Sequence, residues 1–180
     1  MKTFYQDLNK ILEWDVLTWS KGLSFWNYKI KEKNFKTVLE IGCRKGGICY
    51  FFIHYSNFKK IIGSDLNSNF QDIYNLKKNQ KFTYKKIDAL NINFPDKHFD
   101  VVCFKSVLGG IARENQNLKF ELVMKEINRV LKENGELLFM ENLKGSLIHV
   151  QFRKMFRPWG KSWNYISYSE LNNYFKVFKQ

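Results

Sequence analysis

One stretch of this sequence decides the fold, and it reads Val38-Leu39-Glu40-Ile41-Gly42-Cys43-Arg44-Lys45-Gly46-Gly47. A short apolar run with a carboxylate near its end breaks at a glycine turn, and the turn opens into a helix-forming segment over residues 48–55. A buried strand, a glycine turn and a helix in this order form the phosphate or cofactor pocket of a doubly wound α/β domain. The alternative is an ordinary strand-to-helix turn that binds no ligand.

Two residues of the turn indicate which ligand it suits. A dinucleotide fingerprint has glycine at the middle position, because a side chain there obstructs the close approach of a pyrophosphate, and Arg44 occupies that position. Glu40 would repel a pyrophosphate, and its charge favours a ligand that carries a sulfonium and an ammonium group. The charges of Arg44 and Lys45 favour phosphate, so the turn alone leaves both ligand classes open.

Two further acidic residues follow predicted strands. A second buried strand ends at Asp65, about 20 residues after the glycine turn, where a carboxylate can accept hydrogen bonds from both hydroxyls of a ribose. The alternative role for Asp65 is the N-cap of a following helix. A third strand, predicted over residues 82–87, is followed by Asp88, which can accept a hydrogen bond from an adenine amino group.

The remaining core elements complete the pattern of a doubly wound domain. A turn at residues 94–96 leads into a buried strand over residues 101–104. A helix over residues 126–133, closed by Asn134-Gly135, precedes a fifth strand that runs to Met140. We therefore predict an α/β fold with a mostly parallel, twisted sheet, helices on both faces and strand order 3-2-1-4-5.

These segments together resemble the class I S-adenosylmethionine-dependent methyltransferases. The resemblance extends over residues 36–142 and is carried by Val38–Gly46, Gly63-Ser64-Asp65, Ile87-Asp88-Ala89, Phe99–Val102 and Arg129–Phe139. It implies a Rossmann-like methyltransferase fold with S-adenosyl-L-methionine as the cofactor. The chain departs from the family's pattern at Arg44, where the family usually has glycine.

The resemblance also implies which residues bind the cofactor. They are Glu40, Gly42 and Gly46 at its methionine end, Asp65 at the ribose, Asp88 and Ala89 at the adenine, and Lys105 and Ser106 beside the transferred methyl group, with Cys43, Arg44 and Leu66 completing the predicted set.

The first 33 residues carry apolar side chains at helical spacing, with an interruption at Trp14-Asp15-Val16. This pattern favours an amphipathic helix pair packed on the sheet. The resemblance adds a second interpretation, a lid over the cofactor in which Trp14, Asp15 and Trp19 wall the acceptor pocket. We divide a single domain of residues 1–180 into a helical N-terminal lid (1–33), a cofactor-binding core (36–142) and a substrate-side C-terminal segment (143–180).

Apolar and basic residues alternate over residues 147–159, on a predicted short helix. A packed helix with solvated basic side chains accounts for this pattern, and contact with a membrane surface or an anionic, lipid-linked acceptor is the alternative. The predicted substrate-binding residues are Trp14, Trp19, Arg153 and Trp159. The candidate general bases are His149, Glu141 and Asp15; a dedicated base is optional, because the cofactor's sulfonium is already activated.

The end of the chain predicts a short helix and the start of a strand. Ser167 or Ser169 is the expected cap of the helix, and residues 174–178 alternate like a strand. The methyltransferase family usually continues with an antiparallel strand pair that completes the sheet. We therefore predict an incomplete C-terminal pair, which leaves the fifth strand with an unpaired edge.

Composition narrows the classes of protein. A chain of 180 residues with 44% hydrophobic and 17% aromatic content has enough apolar side chains for one folded core. No apolar run reaches the roughly 18 residues that a membrane span needs, and the first residues lack an apolar signal core. The three cysteines include no Cys-x-x-Cys pair, and no metal cluster is visible. We expect reduced thiols and a cytoplasmic location.

The net charge of +13 suggests nucleic acid as a partner, but the basic residues are spread in short pairs. The Asn/Asp-Pro-Pro-Tyr/Phe motif of many base-modifying methyltransferases is absent, and the chain has Phe104–Gly110 instead. We predict a small-molecule or glycan-like acceptor, which can be lipid-linked, and nucleic acid is the less favoured substrate. The alternatives are an RNA methyltransferase, a non-catalytic or truncated cofactor-binding domain, and an NAD or nucleotide-sugar oxidoreductase. Nothing in the sequence indicates the oligomeric state.

Overall fold

A computed structural model of the chain describes residues 3–113, 118–145, 155 and 163–179. Five strands form one sheet in the order β3-β2-β1-β4-β5, and they are β1 (Thr37–Ile41), β2 (Lys60–Asp65), β3 (Phe82–Lys86), β4 (Phe99–Lys105) and β5 (Leu131–Met140). Every pairing is parallel, so all five strands end at the same edge, which we call the C-terminal edge of the sheet. The predicted topology is confirmed.

The helices cover both faces of the sheet, because successive strand residues point to opposite sides. In β1, Val38 packs with the helices of one face and Leu39 with those of the other, and Ile61 and Ile62 divide in the same way in β2. The first face carries α1 (Leu8–Leu12), α2 (Val16–Glu32) and α3 (Gly47–Tyr55), and the second carries α4 (Leu108–Ile111), α5 (Leu118–Val130) and α6 (Tyr168–Tyr174).

The N-terminal segment, residues 3–33, forms the predicted helix pair. Its apolar stripe is buried against the sheet, with Trp19, Leu23, Trp26 and Ile30 all 7% exposed or less. The helical conformation is interrupted between α1 and α2, where Glu13 and Asp15 have positive φ angles of 63° and 48°. This break follows the interruption predicted at residues 14–16.

Three local predictions were wrong. No α-helix follows β2, since residues 66–75 form a loop before a 3₁₀ turn over Leu76–Lys78, so Asp65 caps no helix. Helix α5 ends at Val130 rather than at Asn134-Gly135, because Leu131 already pairs with Phe99 and a bulge in β5 accommodates the glycine.

The third wrong prediction is the strand start at residues 174–178. Tyr174 ends α6, and Phe175–Lys179 forms a 3₁₀ helix because Phe175 packs on Phe139 of β5. Ser167 is the cap of α6, as predicted, and forms a capping box with Glu170. Among the described residues after β5 no strand follows, so β5 is an edge of the described sheet.

Candidate functional site

The glycine turn after β1 requires glycine at two positions. Gly42 and Gly46 have φ angles of +70° and +83°, and a Cβ atom on Gly42 would lie 2.6 Å from Cγ2 of Val107. Arg44, which replaces the family's usual glycine, also adopts a positive φ of 49°, and its side chain is exposed. The turn therefore keeps its left-handed path with arginine at the middle position.

Three carboxylates lie at the C-terminal edge, after or at the ends of three neighbouring strands. Asp65 ends β2, where its Oδ2 accepts a hydrogen bond from the backbone N–H of Arg44 at 3.2 Å. Asp88 follows β3 and is exposed, and its Oδ1 accepts the N–H of Leu90 at 2.9 Å. Glu40, the third, lies in β1. The structure thus brings together the residues predicted for the ribose, the adenine and the methionine end.

Glu40 differs from the other two carboxylates because it is buried, with 4% of the residue exposed. The Sγ–H of Cys49 donates to its Oε2 at 2.8 Å. Burial raises the pKa of Glu40 to about 7, so that the carboxyl titrates near neutral pH. Cys43, Cys49 and Cys103 are all buried free thiols. Within the described ranges, no group of three or more His, Cys, Asp or Glu side chains is placed to hold a metal ion.

Lys105 ends β4 and extends under the N-terminal segment. Its Nζ lies 4.1 Å from the ring centre of Trp14 and 5.9 Å from that of Trp19, and the two indoles meet edge to face. Burial lowers the pKa of Lys105 to about 8. Two of the predicted acceptor-pocket residues therefore contact a predicted cofactor residue, at the break between α1 and α2.

Glu141 joins the first turn of α4 to the end of β5. Its Oε2 accepts the backbone N–H groups of Val107 and Leu108, both at 2.8 Å, and its Oε1 accepts the N–H of Asn142 at 3.0 Å. Burial raises the pKa of Glu141 to about 7. Asn142 also donates to Ser106 Oγ at 2.9 Å. These bonds give Glu141 a positioning role, and its role as a base stays a prediction.

The other predicted site residues differ in their exposure. Asp15 is exposed and accepts a hydrogen bond from Thr18 Oγ1 at 2.8 Å. Leu66 is 62% exposed, whereas Ala89 is buried. His149, Arg153 and Trp159, together with nearly all of the helix predicted over residues 147–159, lie outside the described residues.

The close approach of α1 to α3 was not predicted from the sequence. A Cβ atom on Gly47 would lie 2.3 Å from the carbonyl oxygen of Ile11 and 2.8 Å from that of Lys10. Tyr74 donates from its hydroxyl to the same Lys10 carbonyl at 3.0 Å. Backbone carbonyls of the N-terminal segment therefore face the first turn of α3. The available signal in the sequence was the pair of adjacent glycines at 46 and 47. A turn with a positive φ explains Gly46. The close approach of α1 explains Gly47.

Comparison with known proteins identifies the family. Residues 39–139 match the family described as "Methyltransferase domain". A fatty-acid O-methyltransferase of Mycolicibacterium smegmatis is 28% identical over 107 residues, which make up 59% of this chain and 37% of that protein. The chain thus spans well under half the length of this curated relative.

Solved structures agree on the fold. The YcgJ protein of Bacillus subtilis superposes with a TM-score of 0.71 at 18% identity, over 88% of this chain and 68% of that one. A phosphoethanolamine N-methyltransferase of Haemonchus contortus, solved with S-adenosylhomocysteine, gives a TM-score of 0.66 at 18% identity, over 89% of this chain and 36% of that one. On the family match, with the parallel sheet and its glycine turn, the chain belongs to the class I S-adenosylmethionine-dependent methyltransferases.

Proposed function

We propose that this protein transfers a methyl group from S-adenosylmethionine to a small-molecule acceptor. One observation carries the proposal: Glu40, Asp65 and Asp88 lie at the same edge of three neighbouring parallel strands, beside a turn whose glycines have positive φ. Ligands of doubly wound domains bind in the crevice outside the carboxyl ends of the strands.

The residues present fit this cofactor. Gly42 has no side chain and a positive φ, so the backbone turns sharply at the end of β1 and packs closely against Val107. Asp65 offers acceptor oxygens for ribose hydroxyls, and Asp88 offers them for an adenine amino group. In its ionised form, the carboxylate of Glu40 suits a sulfonium and an ammonium group. When bound, S-adenosylmethionine supplies an already activated methyl group.

The chain's own residues then contribute alignment and exclusion of water. The N-terminal segment would act as the lid, with Trp14 and Trp19 forming an apolar wall above Lys105. Glu141 would hold the start of α4 in place through its three backbone hydrogen bonds. None of these tasks requires a general base.

The start of α3 argues against the dinucleotide alternative. In dinucleotide-binding domains the pyrophosphate lies at this helix N-terminus. Here the carbonyl oxygens of Lys10 and Ile11 face Gly47, and their partial negative charge would repel a phosphate. Arg44 adds a side chain where such domains need glycine.

The acceptor is expected to be small and largely apolar. The wall formed by Trp14 and Trp19 is apolar, and the curated relative from Mycolicibacterium smegmatis is named for methylation of fatty acids. Trp163, in the substrate-side segment, packs against α4, because a Cβ atom on Gly109 would lie 2.0 Å from Trp163 Nε1. Trp163 and the N-terminal segment would then bound the acceptor from two sides.

Thermal-shift measurements with S-adenosylmethionine, S-adenosylhomocysteine and NAD, run side by side, test the cofactor. We expect stabilisation by the first two and none by NAD, and stabilisation by NAD alone would overturn the proposal. Turnover of radiolabelled S-adenosylmethionine against a panel of alcohols, amines and carboxylic acids then tests the activity. Tight binding without turnover of any acceptor would favour the non-catalytic cofactor-binding domain.

A further inference from the structure

Three nitrogen donors without acceptors meet at the break between α1 and α2. The indole Nε1 atoms of Trp14 and Trp19 are buried and have no hydrogen-bond partner among the described residues. Within the same ranges no oxygen accepts a hydrogen bond from Nζ of Lys105, which instead lies over the Trp14 ring. Buried donors are almost always paired in folded proteins, so two unpaired indole N–H groups beside a lysine ammonium indicate a missing acceptor.

None of the described charged groups around Lys105 forms an ion pair with its ammonium, which can therefore bind a ligand. Glu13 and Asp15 approach it from the break between the helices, Glu40 from β1 and Arg44 from the glycine turn. None of these carboxylates forms an ion pair with it: Asp15 accepts from Thr18, and Glu40 accepts from Cys49. The ammonium is therefore desolvated by two indoles without a direct counter-ion.

We propose that Lys105, Trp14 and Trp19 form a carboxylate subsite at the C-terminal edge of the sheet. A carboxylate has two oxygens with several lone pairs, enough to accept from an ammonium and from indole N–H groups. The two ring faces suit an apolar chain next to the carboxylate. This proposal rests on the proposed function and names the chemistry of a group that Lys105 recognises.

The carboxylate has two possible sources. It can belong to an apolar acid that is the methyl acceptor, or to the methionine end of the cofactor. An acceptor carboxylate needs no base, because it is already an anion at neutral pH. Transfer would form a bond from a carboxylate oxygen to the methyl carbon and break the carbon–sulfur bond. The electron pair of the broken bond stays on sulfur, and the products are a methyl ester and S-adenosylhomocysteine.

Isothermal titration and turnover of Lys105→Met separate the sources. The probes are S-adenosylhomocysteine, 5′-methylthioadenosine, which lacks the methionine carboxylate, and decanoate with decanol as its uncharged counterpart. If the acceptor supplies the carboxylate, we expect KM for decanoate to rise at least tenfold while S-adenosylhomocysteine binds as before. If the cofactor supplies it, S-adenosylhomocysteine loses at least tenfold in affinity while 5′-methylthioadenosine loses none.

Matched variants control for general damage. Lys31→Met removes an exposed lysine of α2 and should change none of these values. Lys105→Arg keeps the charge and should restore most of the lost binding. The subsite is overturned if Lys105→Met binds S-adenosylhomocysteine as the wild type does and also turns over decanoate at the wild-type rate. The same holds if neither protein turns over decanoate and both bind S-adenosylhomocysteine equally. Equal weakening of S-adenosylhomocysteine and 5′-methylthioadenosine overturns it as well. Failure of the wild type to bind S-adenosylhomocysteine refutes the proposed function instead.

Discussion

The strand ends and the N-terminal segment hold their polar groups at the C-terminal edge by different means. On the strand side, carboxylates are fixed by backbone donors: Asp65 accepts from Arg44, and Glu141 accepts from Val107 and Leu108. On the N-terminal side, Trp14 and Trp19 offer donors that no described group accepts. The strand side is therefore complete within the protein, whereas the N-terminal side is complete only with a further acceptor.

The difference predicts opposite responses to substitution. Loss of a buried strand-side carboxylate such as Glu141 leaves backbone donors without their acceptor, so folding suffers first. The indole N–H groups on the N-terminal side form no hydrogen bond that the described fold uses, so their loss affects binding first.

Glu141→Ala is expected to have the largest effect. Removal of the carboxylate leaves the N–H groups of Val107 and Leu108 without their acceptor, at a cost of about 2–4 kcal/mol in the free energy of unfolding. Urea denaturation measures this value. Glu141→Gln, which keeps one acceptor oxygen, should recover about half of the loss. An Ala variant as stable as the wild type would show that the strand side is not held by this carboxylate.

The pH dependence of stability tests the buried Glu40. Because the folded protein raises its pKa from 4.5 to about 7, the folded state holds a proton that the unfolded state has released. The stabilisation is complete below pH 4.5 and is lost as pH rises through about 7, by up to about 3 kcal/mol at 1.36 kcal/mol per unit. Glu40→Gln should reduce the slope between pH 5 and 8 and leave the part that comes from Glu141, whose pKa burial also raises to about 7. The exposed Glu133→Gln should leave the slope as in the wild type. A slope in Glu40→Gln as steep as in the wild type contradicts the burial argument.

Asp65→Ala tests the strand side as a binding surface. We expect the affinity for S-adenosylhomocysteine to fall by about 1.5–3 kcal/mol, the usual range for hydrogen bonds to a charged group. Calorimetry measures the affinity, and the melting temperature should change little because the N–H groups that Asp65 accepts from lie at the exposed surface. Unchanged affinity with the fold intact would limit Asp65 to holding the glycine turn.

The same contrast explains which parts of the fold and the site could be predicted from the sequence. The strand order and the acidic residues at Glu40, Asp65 and Asp88 were predictable, because buried strands have short apolar runs and their ends are marked by turns and carboxylates. The unpaired donors were not predictable, since they arise where α1 and α2 meet β4. The bulge in β5 was missed for a similar reason: pairing of Leu131 with Phe99 overrides the Asn134-Gly135 signal.

Gly47→Ala tests how firmly the N-terminal segment is docked. The new Cβ atom would lie 2.3 Å from the carbonyl oxygen of Ile11, so α1 must move away from α3. Overpacking of this kind costs about 1–3 kcal/mol. Proteolysis within α1 should accelerate in this variant, whereas Lys45→Ala at the exposed turn should leave the rate as it is. Unchanged proteolysis and stability would mean that the segment adapts without leaving the sheet.

Trp14→Leu is expected to have the smallest effect and probes the N-terminal side directly. A leucine keeps the site apolar but removes the ring face that favours the charged ammonium, a contribution of about 0.5–1 kcal/mol. The pKa of Lys105 should therefore fall further below about 8, as followed by NMR of the isotopically methylated lysine. Trp19→Leu, whose ring centre lies 5.9 Å from Nζ, should lower the pKa less. Because a ring at 4.1 Å must act more strongly than one at 5.9 Å, equal shifts in the two variants would show that burial alone sets the pKa of Lys105.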